Sequence, residues 1–283
     1  MKRIVVVLAV FELISLSFAA AQSTMTIHTT TGNQTFNLTD IDSITFSVGP
    51  APPESTALVA YYPFNGNAND STATGNNGIL HGGTWVADRF GNPGAALSLN
   101  GQSDYVEIPD NAVLRPTAVS VTMWVNITAF TSLKTGGNPT SQYILLKRNS
   151  RSTSFNAYDL EFDDVNGLFN TVVAPAAGPQ VLVYSLPGSV QAGHWYFLAM
   201  TADNTQLRLY VNGFLVAEKP TGFPLDYSTT VSALTLGSTL DPWNGYYNGA
   251  IDDVRIYNGV LTSDEILGSY TSGKAKTSTV RVQ

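Results

Sequence analysis

Cysteine is absent from all 283 residues, which removes disulfides, zinc–thiolate sites and cysteine nucleophiles together. Stability must then come from a core large enough to stand alone. Basic charge is scarce: 14 Lys and Arg stand against 21 Asp and Glu, a net charge of −7. Phosphate binding needs clustered Lys and Arg, so no nucleic-acid partner is expected. The 3 histidines, His28, His81 and His194, lie far apart. Neither a Gly-x-Ser-x-Gly elbow nor a His-Glu-x-x-His helix occurs, so acyl transfer and zinc hydrolysis lack their residues. One apolar run, Ile4 to Phe18, is shorter than the ~20 residues a membrane span needs, and Glu12 interrupts it. Lys2 and Arg3 precede it and Ala19-Ala20-Ala21 follow, the pattern of an export signal with a mature chain starting at Gln22. The expectation is a secreted or extracellular protein, free or at the cell surface, with no membrane insertion.

What is present divides into segments. After the signal (1–21) comes a small β module (22–48), in which Met25-Thr26-Ile27, Phe36-Asn37-Leu38 and Ile44-Thr45-Phe46 alternate around the turn residues Gly32-Asn33. A Pro-rich linker (49–56) follows, Gly49-Pro50-Ala51-Pro52-Pro53-Glu54-Ser55-Thr56, whose prolines favour an extended spacer. The body (57–270) and a short C-terminal tail (271–283) complete the chain.

The body consists of strand-length runs bounded by Gly, Asn, Pro and Asp. They include Leu58 to Phe64, Ala95 to Leu99, Tyr105 to Ile108, Val119 to Ile127, Tyr143 to Lys147, Tyr158 to Phe162, Val181 to Tyr184, Trp195 to Ala202, Gln206 to Val211, Ala233 to Leu236 and Ala250 to Tyr257. Their period is two and no amphipathic helix separates them, which excludes a parallel α/β sheet and leaves an all-β sandwich or barrel. One helical turn is expected near the end, where Thr262 and Glu265 form a capping box before Ile266 and Leu267.

Four stretches carry a resemblance. Leu58 to Asp70 looks like a first strand and its polar loop; Gly94 to Gly101, with Asp104-Tyr105-Val106, like a strand and turn before an aromatic–valine pair. His194-Trp195-Tyr196 to Leu209-Tyr210-Val211-Asn212-Gly213 matches a hairpin, and Gly249 to Asn258 with Leu261, Glu265 and Ile266 a closing strand and short helix. In this order they resemble the laminin-G-like jelly-roll family of the concanavalin A-like lectin/glucanase superfamily. The resemblance implies a two-sheet antiparallel sandwich, with ligands on the concave face or its rim. It implies no single activity, because members include glycan-binding modules, adhesion domains and glycan hydrolases.

Candidate sites follow. In Asp159-Leu160-Glu161-Phe162-Asp163-Asp164 the residues Asp159, Glu161 and Asp163 would share one strand face while Tyr158, Leu160 and Phe162 enter the core. The superfamily's glucanases carry Glu-x-Asp-x-Glu on such a strand; here the order is Asp-x-Glu-x-Asp, so both end positions are a methylene short. A solvent-facing strand ending in an Asp163 turn is the preferred reading, and no catalytic residue is assigned. A Ca²⁺ site is expected in the oxygen-rich loop after the first strand, from Asn65, Asn67 and Asp70, joined by Asp252 or Asp253 on the closing strand. There Asp252 would share the face of Val254 and Ile256 and need a counter-charge. Trp124 and Trp195 are expected to be packed. Trp243, Tyr246, Tyr247 and, more weakly, Trp85 are the rings expected to stack on sugar. The overall expectation is a non-catalytic module for carbohydrate or a surface glycan, with a glucanase-like hydrolase or a protein-adhesion domain as alternatives.

Overall fold

The computed structural model describes residues 2–7, 14–17, 24–29, 32–37, 41–47, 58–132, 140–148, 156–227, 232–239 and 245–274. The chain divides into two compact units, Met1–Ala51 with Thr271–Gln283, and Pro52–Tyr270. In the first unit β1 (Lys2–Val7) runs parallel to β5 (Ile41–Ser47), while β2 (Ile14–Ser17), β3 (Thr24–Thr29) and β4 (Gly32–Asn37) form an antiparallel sheet. The residues read as an export signal thus supply β1 and β2. The Pro-rich linker lies outside the described residues.

The second unit is all β but for a 3₁₀ turn and the helix that closes it. Its strands are β6 (Leu58–Tyr62), β7 (Ile79–His81), β8 (Thr84–Val86), β9 (Ala96–Asn100), β10 (Tyr105–Ile108), β11 (Val119–Ile127), β12 (Ser141–Arg148) and β13 (Asn156–Asp163). There follow β14 (Leu168–Val173), β15 (Val181–Tyr184), β16 (Trp195–Ala202), β17 (Gln206–Val211), β18 (Phe214–Pro220), β19 (Leu234–Leu236), β20 (Asn248–Asn258) and α1 (Ser263–Lys274). One sheet has the order β15-β14-β13-β12-β19-β10-β7 and the other β18-β17-β16-β11-β20-β9-β8, with β6 also on β20. In this unit β7, β8, β14 and β18 were not among the runs named from the sequence.

Alternation builds the main core between the sheets. Val121, Met123 and Val125 of β11 meet Ile144 and Leu145 of β12, Leu160 and Phe162 of β13, and Leu234 and Leu236 of β19. A second cluster lies on the other side of β11, where Trp124, Phe197, Tyr210 and Tyr257 pack with Leu261 and Ile266, and Tyr270 leans on them. β11 is therefore covered on both faces, which is why eight of its nine residues are buried. The capping box forms as expected: Glu265 N donates to Thr262 Oγ1 at 3.3 Å and Thr262 N to Glu265 Oε2 at 2.7 Å. It starts a 12-residue helix rather than one turn, because Ile266 finds a buried seat.

Candidate functional site

The outer face of the seven-stranded sheet gathers polar and aromatic side chains in one lateral row. Tyr143 pairs with Glu161, Glu161 with Asn170, and Asn170 with Tyr184 across β12, β13, β14 and β15. Their neighbours Ile144, Leu160, Phe162, Phe169 and Val183 all enter the core, so these four face away from it. Farther along the same sheet Tyr105 pairs with His81 across β10 and β7. Gly237, at φ +91°, lets the backbone pass between: a Cβ there would lie 2.4 Å from Leu99 Cδ1 and 3.6 Å from Tyr105 Cα.

The row is closed in the middle and open at both margins. Tyr143, Glu161 and Asn170 are buried. At one margin Tyr184 is 49% exposed. At the other, the His81 and Tyr105 rings stack with centroids 4.2 Å apart, and His81 Nε2 lies 3.3 Å from Glu107 Oε2. Partial burial, with Glu107 and Tyr246 nearby, raises the Tyr105 hydroxyl above its ordinary range.

The acidic strand departs from the expected open face. Asp159 is 0%, Glu161 3% and Asp163 9% exposed. Glu161 Oε2 accepts from Asn170 Nδ2 at 2.9 Å, and Asp159 Oδ1 from the Val172 amide at 2.7 Å. Asp163 does form the expected turn, accepting from the amides of Val165 (3.0 Å) and Asn166 (2.9 Å) and from Asn166 Nδ2 (2.9 Å). These carboxylates are held as structural acceptors.

The residues expected to hold Ca²⁺ are not brought together, and two causes are visible. Asp70 is already filled: Oδ1 accepts from the amides of Tyr61 (3.0 Å) and Thr72 (2.9 Å), and Oδ2 from the hydroxyls of Thr72 and Thr74 and the Asn76 amide. Burial works against its ionisation, but these donors outweigh it and hold the carboxyl below its usual range. Asn65 and Asn67 are exposed, and Asn67 Oδ1 accepts from the Asn69 amide.

Asp252 is turned by a β-bulge. The register jumps between Thr122↔Arg255 and Trp124↔Asp252, and Asp253 takes φ +51°. Asp252 therefore shares the face of Trp124 and not that of Val254 and Ile256. Arg89 supplies its counter-charge, with Nη1 2.5 Å from Asp252 Oδ2 and Nη2 2.7 Å from Asp253 Oδ2, while its guanidinium lies over Trp124 (4.6 Å) and Phe90 (4.4 Å). Asp253 also accepts from Tyr61 Oη at 2.5 Å and Arg255 Nη2 at 3.3 Å. Among the described residues no group of three or more His, Cys, Asp or Glu could hold a metal. A cation needs oxygens with lone pairs free, and the donors around Asp70 and Asp252 do not fit one.

The expected rings divide. Tyr247 is wholly buried, with its hydroxyl on the Ala250 carbonyl at 3.2 Å, so it offers no face to a ligand. Trp85 packs on the main core. Tyr246 is half-buried near Tyr105, and Trp243 lies outside the described residues. Trp124 and Trp195 pack in the second cluster, as expected. Tyr184, Tyr105, His81 and Asn170 were missed as site residues; a tyrosine ending a short run such as Val181-Leu182-Val183-Tyr184 is the sequence signal that could have found the first.

A family model described as the concanavalin A-like lectin/glucanases superfamily matches residues 100–267. Among solved structures, the chain is similar to domain 4 of AbnA, a GH43 extracellular arabinanase from Geobacillus stearothermophilus in complex with arabinotriose. The TM-score is 0.56 at 22% identity, over 76% of this chain and 98% of that one. It is similar also to the binding domain of botulinum neurotoxin DC in complex with rat synaptotagmin II, with a TM-score of 0.57 at 13% identity over 76% of this chain and 51% of that one. Among curated proteins, the adhesion G-protein coupled receptor D1 of Homo sapiens is 34% identical over 95 residues, 33% of this chain and 10% of the receptor. The chain thus matches about a tenth of that receptor's length. No helix among the described residues is long and apolar enough to cross a membrane.

Proposed function

This chain belongs to the concanavalin A-like lectin/glucanases superfamily, and from that premise we propose that it is a secreted, non-catalytic binding module for carbohydrate, a cell-surface or matrix glycan. One observation carries the reading: the outer face of the seven-stranded sheet is lined with polar groups and ends at both margins in accessible rings, Tyr184 on one side and the His81–Tyr105 stack on the other. Sugar recognition combines an aromatic face with nearby carboxylate and amide groups, and this row provides both. The neighbouring arabinanase domain, solved with arabinotriose, supports the ligand class. The Lys2-Arg3 start, apolar run and Ala19–Ala21 site, with no cysteine, support export.

The experiment is retention on immobilised neutral and acidic polysaccharides, together with a glycan array and a reducing-sugar assay. Retention on a saccharide without release of reducing ends is expected. Absence of retention on every saccharide, or release of reducing ends, would overturn the proposal. A second reading, a protein partner, is favoured by Leu186 and Val165, which are 78% and 70% exposed on turns joined by Gly188 N to Asn166 O at 2.8 Å.

A further inference from the structure

Asn170 is 3% exposed, and its Oδ1 has no hydrogen-bond partner among the described residues. One hydrogen bond orients it. Asn170 Nδ2 donates to Glu161 Oε2 at 2.9 Å, so the amide oxygen faces away from Glu161. A buried acceptor left unpaired is unfavourable by roughly 1–3 kcal/mol. Across the ladder on its other side stands Tyr184, the row's open ring. An unfilled acceptor beside an exposed tyrosine is the arrangement that a sugar hydroxyl and the apolar face of its ring complete together.

The local charge narrows the ligand further. Burial, and then the charges of Glu161, Asp163 and Asp159, raise the Tyr184 hydroxyl above its ordinary range, so three carboxylates act on this one ring. With the chain at −7 overall, a carboxylated sugar arriving here meets repulsion of the same sign. A hydroxyl or an ammonium does not.

Resting on the glycan-binding reading, we propose that the Tyr184 margin is a saccharide subsite for a neutral or amino-substituted sugar residue. The sugar stacks on Tyr184 and, once a shift of that ring uncovers it, donates a hydroxyl to the buried Asn170 Oδ1, and the subsite rejects uronates and sialates. The ring gives contact area at small conformational loss, the amide gives direction, and the acidic strand gives selection by charge.

The test uses the full chain with arabinotriose, xylotriose, chitotriose, deacetylated chitotriose and trigalacturonate as probes, followed by calorimetry and saturation-transfer NMR. At least one neutral or amino trisaccharide is expected to bind and trigalacturonate to fail. Tyr184→Ala should lose binding at least tenfold with an unchanged melting temperature, and Tyr184→Phe should retain most of it. Asn170→Ala should also weaken binding; because it removes a donor from Glu161, it is read beside its melting temperature, with Tyr184→Ala as the variant outside the buried part of the row. A neutral or amino trisaccharide bound equally by wild type and Tyr184→Ala overturns this subsite but leaves the glycan-binding reading standing. Preferred binding of trigalacturonate overturns the charge selection. No retention on any saccharide in the broader screen removes both.

Discussion

Asp252 and Trp124 stand directly opposite one another between β20 and β11, and the Arg89 guanidinium is bound to both, 2.5 Å from the carboxylate and 4.6 Å from the ring centroid. The fork of Arg89 reaches Asp253 as well, so one guanidinium bridges two adjacent acids, the second of which also meets Arg255 at 3.3 Å, with Arg89 itself 9% exposed. That placement puts the closing strand's acid pair on the side of the second aromatic cluster, apart from the polar row on the seven-stranded sheet.

Removing Arg89 leaves two neighbouring carboxylates without their shared cation in a largely desolvated pocket. Breaking a buried pair from one side is destabilising by roughly 3–5 kcal/mol. Arg89→Ala is therefore expected to lower unfolding free energy by about that amount in urea titrations. Arg89→Lys should recover less than half, because an ammonium can neither fork to two carboxylates nor lie flat between Phe90 and Trp124. A loss under about 1 kcal/mol, the size of a surface pair, would count against the arrangement.

Asp252 also sets a pH dependence. Burial, then the charge of Asp253, pushes its carboxyl up to about 7, against the pull of Arg89. Between the ordinary aspartate range near pH 4 and about pH 7 the folded chain thus holds more protons here than the unfolded one. The contribution of this group is greatest at the acid end, declines as pH rises toward 7, and is flat above; the slope is at most about 1.4 kcal/mol per pH unit. Urea midpoints between pH 5 and 8 should fall with rising pH more steeply in the wild type than in Asp252→Asn. Equal slopes would remove Asp252 as the source.

The bulge explains why this site was not legible in the sequence. Strict alternation along Ile251-Asp252-Asp253-Val254-Arg255-Ile256 assigns Asp252 to the core face, and a left-handed Asp253 undoes that by one residue. Arg89 lies 163 positions away from Asp252, a separation that no local pattern reports. The strands themselves were legible because Trp195 to Ala202 and Gln206 to Val211 are apolar runs with Gly or Asn close to their ends, and Val119 to Ile127 is an apolar run that follows Pro116. β18 was not, because Phe214, Leu215 and Val216 are all exposed and show no alternation. The open face expected for Glu161 failed for a different reason: period two tells which side a residue faces, but not whether that side is covered.

Asp70 supports a prediction about metals. Five protein donors fill its two oxygens, so chelator should leave the melting temperature of the wild type unchanged. Asp70→Ala should destabilise by about 3 kcal/mol with or without chelator, since it frees the amides of Tyr61, Thr72 and Asn76 at once. A wild-type melting temperature that falls with chelator, and stops responding in Asp70→Ala, would reinstate a cation in this loop.

The acidic strand gives the last prediction. A retaining glycosidase needs two carboxyl groups about 5–5.5 Å apart with the scissile bond between them. Glu161 and Asp163 are 3% and 9% exposed, one bonded to Asn170 and the other closing the turn at Val165 and Asn166. Both oxygens of Asp163 are committed to that turn, so its side chain is a fastener for β13 and β14. Asp163→Ala should reduce stability by about 1–2 kcal/mol, the usual loss for a local carboxylate–amide set, while saccharide retention survives in the folded fraction. Glu161→Gln keeps an acceptor for Asn170 Nδ2 and should leave the absence of released reducing ends unchanged. Hydrolysis by the wild type that disappears in Glu161→Gln at an unaltered melting temperature would make this strand an active site and end the non-catalytic reading.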